Sequence, residues 1–105
     1  KMQARCAINA ILDVGVHAHG MTEDEGLAMM RDHGFQEEGE AVGKWRRALL
    51  TAGQLPTYFA GYRAVGAVAA DLRVLHPDWS DREVHDLMLG HGSPAPRHLR
   101  TLLGI

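Results

Sequence analysis

The sequence predicts an all-α array of five to six helices joined by short Gly- and Pro-marked turns, and three observations carry that prediction. Apolar residues recur at three- and four-residue spacing along most of the 105 positions. Two capping boxes, Thr22 with Glu25 and Ser80 with Glu83, mark helix starts. No segment alternates apolar and polar residues over a strand's length.

The elements follow in order. From Met2 to about Ala18, residues Ala4, Ile8, Ile11, Leu12 and Gly15 fall at helical spacing, and Gly20 supplies a stop. The Thr22 box opens a second helix with Leu27 and Met30 on one face, and Gly34 is its expected C-terminal cap. A third spans about Glu37 to Ala52, with Val42, Trp45 and Leu49 expected on the buried face. The acidic residues Glu37, Glu38 and Glu40 read as a solvated first turn favoured by the helix dipole.

Thr51 to Pro56 is a break, because Pro56 is tolerated in a first helical turn but not in a helix interior. The fourth helix carries a stripe of Tyr58, Tyr62, Val65, Ala69 and Leu72 until His76-Pro77 ends it. Gly61 and Gly66 within it suggest close packing against another backbone. The Ser80 box opens a fifth helix, with Val84, Leu87 and Met88 inward, ending near Gly90. Ser93-Pro94 repeats a start signal for a terminal helix bearing Leu99, Leu102 and Leu103.

Composition excludes several functions. With 13 acidic and 11 basic residues there is no net positive field, so nucleic acid is not an expected partner. No apolar run approaches the roughly 20 residues of a membrane span. Cys6, alone among apolar neighbours, reads as a buried thiol and offers no disulfide evidence for secretion. Lys1-Met2-Gln3 enters a helical pattern without an apolar signal core. The default compartment is therefore cytoplasmic, and the chain reads as a piece cut from a longer polypeptide, whose remainder is its first expected partner.

Seven histidines invite a metal hypothesis, which spacing argues against. His17 and His19 project about 200° apart on a helix, whereas paired helical zinc ligands sit at i and i+4. His85 and His91 have no Cys or carboxylate completing a ligand pattern. No metal ligand or cofactor is expected within this segment. His17 follows Asp13 by one helical turn, so the aspartate could orient its imidazole; the simpler reading is an exposed i,i+4 pair. His85 reads as a half-buried side chain bonding a carbonyl near Gly92, and Ser93 as a helix cap rather than a nucleophile. Tyr58 and Tyr62 read by default as core aromatics, although a hydroxyl at a helix start could donate to a developing oxyanion.

Taken in order, several signatures resemble a known family. They are Asp13-Val14-Gly15-Val16-His17, Gly20-Met21-Thr22, Arg47 with Gly53-Gln54 and Tyr58-Phe59-Ala60-Gly61, and Val84-His85-Asp86 with Gly90, Gly92 and Pro94. Together they resemble the C-terminal region of bacterial domain-of-unknown-function family 885, grouped with gluzincin-type zinc metallopeptidases. The resemblance implies a larger helical fold whose zinc motif lies upstream, so that zinc belongs to the parent protein and its substrate is a peptide. It also implies that Tyr58 contacts substrate or oxyanion, with His17 the second catalytic candidate and Arg47, Gln54 and Tyr62 binding substrate. Family members often carry an aromatic residue at Met21, proline at Ala52 and phenylalanine at Val84, which marks this chain as divergent. The competing expectation is a free-standing interaction module docking through the Tyr58/Tyr62/Val65 stripe or the Leu99/Leu102/Leu103 tail.

Overall fold

The computed structural model describes all 105 residues. Six helices and no strand form the chain: α1 (Met2–Ala18), α2 (Glu23–Asp32), α3 (Glu38–Leu50), α4 (Pro56–Leu75), α5 (Asp81–Gly90) and α6 (Pro96–Leu103). They divide into two compact units, Lys1–Ala60 and Gly61–Ile105, with the division falling inside α4.

In the first unit α1, α2 and α3 pack on one another around Ile8, Leu12, Leu27, Met30, Ala41 and Trp45. Leu12 and Met30 are fully enclosed, each worth about 1.5–3 kcal/mol of transfer free energy. Glycine decides how closely these helices approach. A Cβ at Gly26 on α2 would stand 2.7 Å from the Trp45 ring of α3. α1 closes with the amides of His19 and Met21 both donating to the Gly15 carbonyl, and Gly20 takes φ +63° between them.

The Thr22 capping box forms in full: the Glu25 amide donates to Thr22 Oγ1 and the Thr22 amide to Glu25 Oε2. These bonds hold the Glu25 carboxyl below its usual range, the Thr22 backbone bond being the larger cause. Gly34 is not the left-handed cap the sequence suggests. That conformation falls on Phe35, φ 53°, while a Cβ at Gly34 would meet the Met30 carbonyl at 2.6 Å. Arg5 secures this turn from α1, donating to the Gly34 and Phe35 carbonyls at 3.2 and 3.1 Å and pairing with Glu40 at 3.1 Å.

α3 buries Ala41, Trp45 and Ala48. The expected face was one step off: Trp45 is inward, Val42 is only half-buried and Leu49 is exposed, because the two alanines allow the approach that Trp45 and Gly26 require. Cys6 is half-buried rather than enclosed.

In the second unit Val68, Ala69 and Leu72 of α4 meet Val84 and Met88 of α5 and Leu99 of α6, flanked by Leu87, Leu103 and Ile105. Only the lower half of the expected α4 stripe is core. Tyr58, Tyr62 and Val65 are exposed, and a Cβ on Gly61 or Gly66 would meet nothing within 4 Å, so close packing does not explain those glycines. Past Pro77 the chain turns back with His76 and Trp79 stacked at 3.8 Å, and Arg73 reaches Asp81 at 2.7 Å. The Ser80 capping box forms as predicted.

α6 begins two residues later than expected, with Ala95 as cap and Pro96 in its first turn, so Ser93 is not the cap. Gly104, at φ 72°, ends it, with the Ile105 amide returning to the Arg100 carbonyl and an Arg100–Asp71 pair tying α6 to α4. No helix is long and apolar enough to cross a membrane.

Candidate functional site

The short connection between α3 and α4 gathers most of the residues singled out from sequence. At the C-terminus of α3 the last carbonyls have no helical partner. His17, from α1, lies against them: its Nε2 is 2.9 Å from the Ala48 carbonyl and 2.7 Å from the Thr51 carbonyl. Carbonyls only accept, so Nε2 carries the proton and donates, and through that nitrogen His17 cannot serve as a base.

One turn earlier on the same helix, Asp13 is buried, and both its oxygens accept from the Gly53 amide at 3.0 and 3.1 Å. The expected exposed Asp13–His17 pair is thus replaced by two separate attachments to one turn. Gly53 adopts φ +79°, which a Cβ would disfavour.

The turn is braced from within as well. Arg47 Nη2 donates to Gln54 Oε1 at 3.2 Å, Thr51 Oγ1 to the Arg47 carbonyl, and Thr57 Oγ1 to the Gln54 carbonyl at 2.6 Å. Leu55 beside them is 1% exposed and anchors the entry into α4. Tyr58 follows in the first turn of that helix with 58% of its surface exposed. Both tyrosines therefore depart from the core-aromatic reading.

The structure brings His17, Arg47 and Gln54 together around this turn and sets Tyr58 just after it. Tyr62 belongs to the second unit, where it borders a shallow depression with Val65, Arg73 and His85. His85 itself is exposed, not half-buried against a carbonyl as expected. Sequence reasoning missed Asp13 as a buried acceptor. Its place one turn before His17, on the side of α1 that carries Leu12, was the available signal.

Beside the turn, the first unit has an open apolar groove of about 790 Å³ along α1, lined by Ile11, Val14, Met21 and Phe59, with His19 and Glu25 among its polar groups. Its size is that of a small-ligand or side-chain pocket. No three His, Cys, Asp or Glu side chains converge on a point where a metal could sit.

Residues 1–103 match the family described as bacterial protein of unknown function, DUF885. The chain belongs to the DUF885 family. A solved structure from Shewanella oneidensis, described as "a putative lipoprotein of unknown function", resembles this DUF885 chain at 36% identity with a TM-score of 0.92. The match covers 99% of this chain and 19% of that one, so the DUF885 segment spans about a fifth of that relative. No curated protein matches the sequence.

Proposed function

We propose that this DUF885 chain is a helical part of a larger zinc-dependent peptidase, in which it supplies one wall of the substrate cleft and no complete active site. The observation that carries the reading is the pairing, within the first unit, of a braced turn and an apolar groove. The turn delivers an exposed tyrosine hydroxyl at the start of α4, and the next residue, Phe59, lines the groove.

In this reading a peptide substrate lays an apolar side chain along Ile11, Val14 and Phe59. The Tyr58 hydroxyl then donates to the scissile carbonyl oxygen as negative charge develops there. Arg47 and Gln54, joined to each other, offer their remaining polar positions to the peptide backbone. His17 holds the turn, and its role moves from catalytic candidate to positioning. Tyr62 stays a candidate substrate contact on the second unit. Any zinc would rest on ligands outside these residues.

Limited coverage of the Shewanella relative supports a larger parent. For the compartment, the lone cysteine favours the cytoplasm, while the relative's description as a lipoprotein favours the envelope; fractionation of the native host separates the two.

The test is steady-state peptide hydrolysis by the full-length protein. Tyr58→Phe should lower kcat by about 100-fold, the scale of losing one oxyanion donor, with the fold intact by circular dichroism. Unchanged kinetics would remove Tyr58 from this role. If the full-length protein cleaves nothing and a pull-down through Tyr58, Tyr62 and Val65 instead captures a defined partner, the interaction-module reading replaces it.

A further inference from the structure

We infer that Asp13 is a positioning residue: by holding the Gly53 amide it fixes the turn from which Tyr58 is presented. The inference rests on the proposed peptidase reading for its kinetic consequence, but on geometry alone for the clamp.

Asp13 is 5% exposed, and a buried carboxylate is costly unless hydrogen-bonded. Here both oxygens converge on one N–H, 40 positions away in sequence. That amide belongs to Gly53, whose φ of +79° is the left-handed conformation that favours glycine. Asp13 is therefore the point where α1 determines the path between α3 and α4. Beyond Gly53 the chain has little freedom before Tyr58, because Leu55 is buried and Thr57 is bonded back to Gln54 by both its amide and its hydroxyl.

His17 grips the same turn from its α3 side, at Ala48 and Thr51, so α1 holds it at two places one helical turn apart. The two holds differ in consequence. His17 acts on carbonyls that also end α3, whereas Asp13 acts only beyond the helix, on the residues leading into α4. Displacement of Gly53 would move Tyr58 away from the reacting carbonyl while Ile11 and Val14 of the groove, on α1, stay in place. Misplacement of a donor by about 1 Å can cost 100-fold in rate.

The experiment compares wild type, Asp13→Asn, Tyr58→Phe and the double variant in the full-length protein. Asp13→Asn keeps the side chain's shape but weakens its hold on the N–H. Peptide-level hydrogen exchange over residues 51–55 should accelerate by about tenfold, the difference between a charged and a neutral acceptor, while exchange around Trp45 is unchanged. With a peptide substrate, kcat should fall at least about tenfold and by a larger factor than KM rises, and the double variant should lose little kcat beyond Tyr58→Phe alone. Additive losses, or unchanged exchange at 51–55, would overturn the inference. If wild type cleaves no peptide the peptidase reading fails, and the exchange arm still decides whether Asp13 holds the turn. Should Asp13→Asn fail to fold, Gly53→Ala tests the same turn through its strained φ: unchanged kcat in a folded Gly53→Ala protein would also overturn the inference.

Discussion

At Gly26 a single hydrogen atom stands where any other residue would place a carbon 2.7 Å from the Trp45 ring. Both partners are held by the core around them, so neither can move aside cheaply. Gly26→Ala should therefore destabilise the protein by about 1–3 kcal/mol despite alanine's better helix propensity, which is worth only about 1 kcal/mol. Urea unfolding followed by Trp fluorescence would measure it; an unchanged or raised midpoint would show that the α2–α3 contact is looser than described. Tyr58 stands at the other extreme, exposed in the first turn of α4, so its substitution should affect turnover rather than folding.

At the scale of elements, the two capping boxes are the clearest link between sequence and structure. Thr22→Ala and Ser80→Ala should each cost about 1 kcal/mol, measured by thermal or urea unfolding. The same boxes give a pH dependence. Glu25 and Glu83 are both held below the ordinary glutamate value of 4.5, chiefly by the backbone amides of Thr22 and Ser80. A carboxyl with a lowered folded-state pKa adds stability above its unfolded value, and that contribution is lost as pH falls through the folded one. Stability should therefore decline as pH drops below about 4.5, and less steeply in Glu25→Gln than in wild type. Parallel acid profiles for the two would contradict this assignment.

Helix starts written in local chemistry were legible because Thr22, Ser80 and Pro56 act on their nearest neighbours. What depends on distant partners was not. The α3 face shifted to Ala41 and Ala48 because Gly26 lies across from Trp45, and α6 began at Pro96 rather than Pro94. Tyr58 and Tyr62 fit a buried stripe by spacing alone, yet both are exposed. The candidate site was half legible. His17, Arg47 and Gln54 do meet at one turn, but the Asp13–Gly53 bond spans 40 positions and leaves no local signature.

On the scale of the whole molecule, 105 residues form two small units, each with its own core, and one carries a braced turn beside an apolar groove. Membership of DUF885 and coverage of 19% of the Shewanella relative set this segment beside a much larger protein. In the proposed reading the chain contributes a cleft wall to a peptidase whose metal is held elsewhere. Zinc content and peptide hydrolysis, measured side by side on the full-length protein and on this chain alone, test it most directly. The account predicts bound zinc and cleavage from the full-length protein and neither from the chain; stoichiometric zinc with cleavage by the chain alone, or no cleavage by the full-length protein, would contradict it.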